Sequence, residues 1–310
     1  MQVSVIIPVK NARPMLVAAV RSVLSQDADV AEVLVIDDCS SDGSGEAVDG
    51  MDSRVRVLQG AGKGPAAARN LGAEAARGEL LAFLDADDEW LPHSLEPRLE
   101  LLRRNQRAVL AFSDAELVDR LDRPLGLLHQ DRAVIAGRIY PALLLDNFLP
   151  TSSVVVRAEA FRDLEHGFQQ DFQPCEDYRL WLRLAAAGPC ELEPRPLVRR
   201  RLRRAGFGAD YLASITAQSA VLEDSLAADG RADLATWQPL RQRLVVLHHV
   251  RGQLLARDGQ REQALAAYDA ARNWGDLGLR LGWHAWMIRA LYPLARRLVS
   301  PRRLGVEPLP

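Results

Sequence analysis

Short apolar runs alternate with helical segments along the N-terminal third of this 310-residue chain. The apolar runs cover residues 3–8, 32–36, 54–58 and 80–84, and helical periodicity covers residues 14–25 and 66–76. Strands that are separated by helices need crossover connections, and these connections produce a mostly parallel sheet. The pattern therefore predicts an α/β fold in which ligands bind at the carboxyl ends of the strands.

Strand signals end well before the end of the chain. Residues 109–112 and 152–156 have the apolar and β-branched composition of strands, and residues 176–187 have helical periodicity. Beyond residue 204 the spacing of apolar residues is typical of helices only. We therefore predict an α/β domain over residues 1–204 and a helical extension over residues 205–310.

Net charge, cysteine count and the lengths of the apolar runs limit which partners and which cellular compartment the chain can have. The formal net charge of −2 indicates no nucleic-acid partner. The three cysteines, Cys39, Cys175 and Cys190, form no CxxC pair, and an odd number argues against a disulfide framework. The chain starts directly in a strand, and it contains no apolar run of the ~20 residues that a transmembrane helix needs. We therefore expect a cytoplasmic protein without a signal peptide.

Three carboxylates follow the fourth predicted strand: Asp85, Asp87 and Asp88. Charges this close repel one another, so the cluster favours a bound cation. Carboxylates together with substrate phosphates are the usual ligands of Mg²⁺ in proteins. The cluster therefore predicts Mg²⁺ or Mn²⁺ held with an organic diphosphate. The alternative is a solvated loop in which Asp87 or Asp88 caps the next helix, and these residues alone leave both interpretations open.

A fourth carboxylate, Asp38, follows the second predicted strand. Parallel strands end at one edge of the sheet, so Asp38 and the acidic cluster can share one crevice. The nearby glycine-rich turn at residues 60–64 has neither the spacing of a phosphate-binding loop nor that of a dinucleotide fingerprint. The crevice is therefore predicted to bind its ligand by another pattern.

Several segments together carry a resemblance to a known family. They are residues 5–11, 35–42, 68–72 with 78–88, and 176–184. In this order they resemble the family 2 glycosyltransferases of the GT-A fold, over roughly the first two thirds of the chain. The resemblance implies inverting transfer of a sugar from a nucleotide-diphosphate-sugar donor to a hydroxyl acceptor. It assigns the nucleotide to about residues 1–115 and the acceptor to about residues 116–204.

The resemblance also implies a donor site at the strand ends. Its members are Pro8, Val9, Lys10, Asp38, Arg69, Asp85, Ala86 and Arg203. Pro8 and Val9 would form an apolar wall beside the base, and Asp38 would accept hydrogen bonds from the base or ribose. Arg69 would support the phosphates or brace the acidic loop. The structural alternatives are that Asp38 caps a helix after Ser40 and that Arg69 is only an ion-pair partner.

The resemblance places the metal and the catalytic base on two further acidic motifs. Asp87, supported by Asp85, would bind Mn²⁺ or Mg²⁺ together with the donor diphosphate. Asp177 would be the general base for the acceptor hydroxyl, with Glu176 alongside, because a hydroxyl is a weak nucleophile unless it is deprotonated as it attacks. The alternative for Asp177 is that it caps its own helix.

The chain departs from the family pattern at two places. Lys10 stands where the family usually has an aromatic residue that stacks on the base. The basic run at residues 200–203 replaces the family's Tyr-Arg-x-His, so we expect Arg203 to contact the diphosphate. The Gln-x-x-Arg-Trp signature of processive synthases is absent, which predicts transfer of a single sugar.

Two other functions fit an acidic site on an α/β fold, namely a nucleotidyltransferase and a scaffold that has lost catalysis. Residues 5–13 lack the basic glycine-rich loop that nucleotidyltransferases use. The full set of Asp38, Asp85, Asp87 and Asp177 argues against an inactive scaffold. Transfer of a sugar during polysaccharide or glycolipid assembly is the expected function.

The C-terminal segment at residues 279–299 mixes large apolar side chains with arginines. Charges interrupt it too often for it to span a bilayer, but it suits a helix at a membrane interface. Such an arm would bring the enzyme to a lipid-linked acceptor at the cytoplasmic face. The alternative is that the arm packs on the catalytic domain or forms a homodimer contact.

Overall fold

The computed structural model describes residues 1–130, 134–202, 209–228 and 237–275. It separates into two compact units, which we describe individually. The first consists of Met1–Asp171 and Glu176–Arg204, and the second of Phe172–Cys175 and Ala205–Pro310.

The N-terminal half of the first unit has the predicted parallel arrangement. Its strands are β1 (Val3–Val9), β2 (Val30–Asp37), β3 (Val55–Gln59) and β4 (Leu80–Phe83), and its crossover helices are α1 (Arg13–Leu24) and α2 (Pro65–Ala75). These strands lie in the order β3-β2-β1-β4 with every pairing parallel. Both helices have proline in the first turn, where its missing N–H costs no intrahelical hydrogen bond. All four strands therefore end at the same edge of the sheet.

The sheet becomes mixed beyond β4. Its further strands are β5 (Glu89–Trp90), β6 (Leu110–Val118), β7 (Pro124–Leu127), β8 (Val155–Arg157) and β9 (Cys190–Arg201). The order continues β4-β8-β6-β9-β5, with β7 on the side of β6. β8 is antiparallel to both β4 and β6, whereas β9 is parallel to β6. The predicted α/β class is confirmed, and the parallel order applies to its first four strands.

Close packing holds the helices against this sheet. The buried side chains of α1 are Leu16, Ala19, Val20 and Val23. Gly72 lets α2 approach closely, since a Cβ atom there would lie 2.5 Å from the Ile6 side chain. The remaining helices are α3 (Leu95–Arg104), α4 (Tyr140–Leu143), α5 (Ala158–Arg162) and α6 (Glu176–Ala187). Trp181 on α6 is fully buried beside Phe83 and Phe168, which fixes the start of α6 near the end of β4.

The described part of the second unit is helical. It contains α7 (Ala209–Ala228), α8 (Gln238–Arg257) and α9 (Arg261–Trp274). Gly252 allows α8 to lie against the ring of Tyr268 on α9, where a Cβ atom would be 2.6 Å from the ring. Within the described ranges, no helix has the length and apolar character needed to cross a membrane. The predicted membrane arm at residues 279–299 lies outside the described residues.

Candidate active site

The acidic cluster follows β4 directly, at the edge where the parallel strands end. Asp87 and Asp88 are buried, while the Asp85 side chain is 35% exposed. The Asp88 carboxylate accepts a hydrogen bond of 2.5 Å from Ser152 Oγ and one of 2.8 Å from the main-chain N–H of Arg201. Burial, and then the charges of Asp85 and Asp87, raise the pKa of Asp88 to about 7. The cluster therefore carries mutual repulsion that a cation would relieve.

The carboxylate oxygens of the acidic cluster suit a hard cation that also binds a ligand. Carboxylate oxygens are the ligands that Mg²⁺ and Mn²⁺ prefer. In the described part of the chain, no three histidine, cysteine, aspartate or glutamate side chains form an all-protein metal centre. Mg²⁺ commonly uses one or two carboxylates and completes its shell with waters and substrate phosphates. The loop fits that arrangement, and Asp85 and Asp87 remain the predicted ligands.

Arg69 on α2 connects the acidic cluster to the start of α6. Its Nη2 lies 2.7 Å from Asp85 Oδ1, and its Nη1 lies 2.9 Å from Glu176 Oε1. Burial alone would lower the pKa of Arg69, but the carboxylates of Asp85 and Glu176 raise it. Burial, followed by the charge of Asp177, raises the pKa of Glu176, and Arg69 opposes this shift. Arg69 therefore forms the ion pairs of the structural alternative and contacts the acidic loop at Asp85, and its support of the phosphates stays a prediction.

Asp177 lies in the first turn of α6 and is held by two hydrogen bonds. Its Oδ2 accepts one of 2.7 Å from Thr151 Oγ1, and its Oδ1 accepts one of 2.6 Å from the main-chain N–H of Tyr178. Thr151 and Ser152 are neighbours in a short 3₁₀ turn, Thr151–Ser153. Adjacent hydroxyls of this turn thus hold the predicted base and Asp88. Sequence reasoning missed this turn by assigning Ser152 to a strand, although three consecutive hydroxyl residues after Pro150 were a visible signal.

Two buried side chains hold the main chain of the Thr151–Ser153 turn, which we call the hydroxyl turn. Arg98 on α3 donates a hydrogen bond of 2.6 Å from Nη1 to the Ser153 carbonyl oxygen. The indole of Trp90 donates one of 2.8 Å from Nε1 to the Ser152 carbonyl oxygen. The guanidinium of Arg98 lies 4.8 Å from the Trp90 ring centroid, in cation–π range. These two contacts hold the main chain of the turn at Ser152 and Ser153, next to the hydroxyl that bonds to Asp88.

Asp38, at the end of β2, organises the glycine-rich turn. Its two carboxylate oxygens accept hydrogen bonds of 2.7 Å from the main-chain N–H groups of Gly62 and Gly64. Gly60 must be glycine because a Cβ atom there would lie 2.6 Å from Asp38 Oδ1. The expected helix after Ser40 is wrong, since residues 41–50 form turns, and Asp38 therefore caps no helix there. The contact of Asp38 with a base or ribose stays a prediction.

The ends of β1 and β2 meet beside Asp38. The Val9 carbonyl oxygen accepts a hydrogen bond of 2.8 Å from the Asp38 N–H. Asn11, with a left-handed φ of 54°, accepts one of 2.7 Å at Oδ1 from the Ser41 N–H. Pro8 is half-buried and Lys10 is exposed. Pro8, Val9 and Lys10 thus lie at the strand end beside Asp38. The hydrogen bond from Ser41 to Asn11, which joins the two strand ends, was not predicted.

The basic run contributes a residue that sequence reasoning did not single out. The Arg201 guanidinium donates hydrogen bonds to the Asp87 carbonyl oxygen and to Asp122, and lies 3.2 Å from Glu89 Oε1. Arg200 also acts on the acidic cluster, since its charge lowers the pKa of Asp88 against the larger raising effects. The predicted phosphate contact, Arg203, lies outside the described residues.

Comparisons with known proteins identify the family. The model of Glycosyl transferase family 2 matches residues 4–157. The putative teichuronic acid biosynthesis glycosyltransferase TuaG of Bacillus subtilis is 30% identical, over 60% of this chain and 73% of its own length. The glucosyltransferase WfgD of Escherichia coli is 30% identical, over 58% of this chain and 68% of its own length. An uncharacterized glycosyltransferase of Rickettsia felis is also 30% identical, but the chain spans only 30% of that relative's length.

Solved structures show the fold. The structure of TarS from S. aureus superposes with a TM-score of 0.67 at 19% identity, over 96% of this chain and 53% of that one. The mannosyltransferase PcManGT from Pyrobaculum calidifontis, in complex with GDP-Man and Mn²⁺, gives a TM-score of 0.58 at 18% identity. That match covers 95% of this chain and 82% of the mannosyltransferase. With strand-end carboxylates on a mixed α/β sheet and relatives of this kind, the chain belongs to glycosyl transferase family 2 and has the GT-A fold.

Proposed function

We propose that this protein is an inverting glycosyltransferase that moves one sugar from a nucleotide-diphosphate-sugar donor to a hydroxyl acceptor. The observation that carries the proposal is the double ion pair of Arg69, which holds the acidic cluster beside the acid pair of α6. The ion pairs support a donor-diphosphate site that lies next to the proposed base. Residues 1–204 form the proposed catalytic domain, with the nucleotide at about residues 1–115, the acceptor at about residues 116–204, and residues 205–310 as the extension.

The proposed base is Asp177. Each of its oxygens accepts one hydrogen bond in the structure, and a carboxylate oxygen has a further lone pair available. The acceptor hydroxyl oxygen forms a bond to the anomeric carbon while its proton passes to Asp177. The bond from the anomeric carbon to the diphosphate oxygen breaks, and the nucleoside diphosphate leaves with the electron pair. Attack from the side opposite the leaving group inverts the anomeric configuration.

The donor is proposed to bind at the strand ends. Asp87, with Asp85, would hold Mn²⁺ or Mg²⁺ against the diphosphate, and the adjacent Ala86 would contact the nucleotide-sugar. When bound, such an ion supplies Lewis-acid stabilisation of the leaving diphosphate. Asp38 would place the glycine-rich turn beside the base, and Arg69 with Glu176 would keep the two acidic motifs in register. Pro8, Val9, Lys10 and Arg203 complete the proposed donor site.

The acceptor is proposed to be lipid-linked and used in cell-surface polysaccharide or glycolipid assembly. The name of WfgD describes a glucosyltransferase for a diphosphoundecaprenol acceptor, and ExoO of Rhizobium meliloti is named for succinoglycan biosynthesis. We propose that this chain does related work at the cytoplasmic face of a membrane. A homodimer contact through residues 279–299 is the alternative role for the C-terminal arm.

The test is donor turnover by purified protein, with products identified by mass spectrometry. UDP- and GDP-linked sugars are each supplied with Mn²⁺ and with a chelator. Thermal shift ranks the nucleotides first, since a ligand at a hundredfold excess over its dissociation constant stabilises the native state by about 2.7 kcal/mol. Release of nucleoside diphosphate and free or transferred sugar supports the proposal. Release of pyrophosphate would identify a nucleotidyltransferase, and absence of both binding and turnover would indicate a scaffold.

A further inference from the structure

Five large apolar side chains are exposed in the described structure: Leu121, Leu125, Leu127, Ile135 and Leu202. All of these except Ile135 lie at one end of the sheet. The most exposed are Leu121 at 73% and Leu125 at 55%. Single exposed apolar residues are ordinary, but a concentration of them at one site indicates an interaction surface. We define Leu121, Leu125, Leu127 and Leu202 as the leucine tip.

Strand register brings the members of the leucine tip to the same end of the sheet. β7 pairs with β6 antiparallel, with Val118 opposite Pro124, so that Leu121 lies in the connecting turn. β9 pairs with β6 in parallel, with Val118 opposite Arg201. The Leu202 N–H then donates a hydrogen bond of 2.8 Å to the Val118 carbonyl oxygen. Leu125 and Leu127 are two residues apart and therefore share one face of β7.

One arginine of this hairpin, Arg120, forms no ion pair within the described structure. Asp119 accepts a hydrogen bond of 2.6 Å from Arg123 Nε, and Asp122 is paired with Arg201. Both acids of the turn thus have an arginine partner, and Arg201 also pairs with Glu89. Arg120 is exposed and forms no ion pair with any other residue that the structure describes. The tip therefore combines exposed leucines with an exposed arginine that has no acidic partner among the described residues.

The leucine tip is also connected to the active site. Arg201 pairs with Asp122 in the hairpin turn and, with the same guanidinium, donates to the Asp87 carbonyl oxygen. One side chain therefore joins the turn that carries Leu121 to the loop that follows β4. A surface that docks through this turn would lie next to the proposed site of sugar transfer.

We propose that the leucine tip docks on the interface of an anionic lipid bilayer. Leucines on a projecting turn beside an unpaired arginine match the composition of interfacial anchors, with apolar groups in the acyl boundary and cations at the headgroups. A stable protein partner would need about 800 Å² from each side, and four leucines at the end of a hairpin offer a much smaller surface. The further step, that docking presents a lipid-linked acceptor to Asp177, rests on the proposed function.

The experiment is sedimentation of the full chain with vesicles of phosphatidylcholine, alone or mixed with phosphatidylglycerol. The variants are Leu121→Ser with Leu125→Ser, Arg120→Gln, and Ile135→Ser as the matched control, which removes an exposed apolar side chain outside the tip. The double variant is expected to lose at least about tenfold in partition on anionic vesicles. Arg120→Gln is expected to lose about fivefold on anionic vesicles and nothing on neutral ones. Ile135→Ser is expected to bind as the wild type does.

Three results would overturn the docking proposal. They are wild-type protein that stays in the supernatant, a double variant that sediments like wild type, and a wild-type dimer that the double variant converts to a monomer. Light scattering checks the last of these, and thermal unfolding checks that each variant is folded. Donor turnover in solution is measured in parallel. A wild type that sediments without turning over any donor would refute the proposed function while leaving the docking surface supported.

Discussion

Replacing Arg69 by methionine tests whether the two acidic motifs depend on one buried cation. Methionine keeps much of the side-chain volume but leaves the buried Glu176 carboxylate without its guanidinium partner. Removal of one member of a buried ion pair costs about 3–5 kcal/mol, since the remaining charge is uncompensated. In a unit of this size each kcal/mol lowers the midpoint of thermal unfolding by about 2–4 °C. We therefore expect Arg69→Met to lower the midpoint by roughly 6–20 °C.

A second substitution separates the ion pair from simple loss of packing. Glu176→Gln removes the buried charge while Arg69 keeps its contact with Asp85. The double variant has no buried unpaired charge at this position, so it should be more stable than Arg69→Met alone. A double-mutant cycle from chemical unfolding should give a coupling energy of about 1–3 kcal/mol, the range for residues in contact.

The pH dependence of the stability of the Arg69→Met variant follows from the direction in which the pKa of Glu176 is shifted. In the folded state, burial and the charge of Asp177 raise the pKa of Glu176 above its ordinary value of 4.5, and Arg69 opposes the rise. The folded state then holds its proton more tightly than the unfolded state, so the free energy of unfolding falls as the pH rises between the two pKa values. Loss of Arg69 raises the folded pKa further and widens this window. The loss of unfolding free energy caused by Arg69→Met should therefore be smaller at acidic than at neutral pH.

Two results would refute this reasoning. One is a deficit that is the same at acidic and neutral pH, which would mean that Glu176 does not carry the cost. The other is a double variant that is destabilised by the sum of the two single changes. Unfolding is followed by tryptophan fluorescence, with Arg69→Lys as the variant that keeps the charge but loses the fork that reaches both acids.

The remaining predictions concern the site itself. Asp87→Asn should abolish turnover and remove the extra thermal shift that Mn²⁺ gives with a nucleoside diphosphate, while the midpoint without ligand stays near that of wild type. Asp177→Asn should lower the turnover rate by roughly 10²–10⁴ with donor affinity within a few-fold; unchanged turnover would make Asp177 structural. Thr151→Val should lower turnover and shift its pH profile, with Thr151→Ser restoring both. Asp38→Ala, measured by calorimetry, should weaken nucleotide binding by about 1.5–3 kcal/mol, the range for a hydrogen bond to a charged group.

The parallel half of the fold could be predicted because its signal is local. A strand that is buried on both faces appears in the sequence as a largely apolar run, and β1, β2 and β4 lie at such runs. The edge strand β3 is only half-buried and carries polar residues among its apolar ones. β9 has no such signature, since it contains two prolines and four arginines. It nevertheless pairs with the whole length of β6, with register shifts near Asp114. Its strand structure depends on a partner that is distant in sequence, which no local pattern encodes.

The residues of the candidate site also fall into two groups, those that the sequence identified and those that it did not. The acidic motifs are short continuous segments, so their residues could be identified from the sequence. The side chains that hold these acidic motifs are distant from them in the sequence. Ser152 bonds to Asp88 across 64 positions, and Arg201 bonds to Asp87 across 114. Such contacts depend on how the strands of the mixed half pair, and the sequence predicted strands near β6 and β8 but neither β9 nor the strand order.

The acidic cluster is the place where folding alone does not explain the sequence. Three elements hold it: α2 through Arg69, the hydroxyl turn through Ser152, and β9 through Arg201. Despite these contacts, the pKa of Asp88 is raised to about 7, so the neighbouring cations do not offset burial and the repulsion from Asp85 and Asp87. A chain selected for stability alone would replace one of these acids by a neutral residue. Local conflicts of this kind are expected at functional sites, and the proposed cation, shared with a diphosphate, would resolve this one.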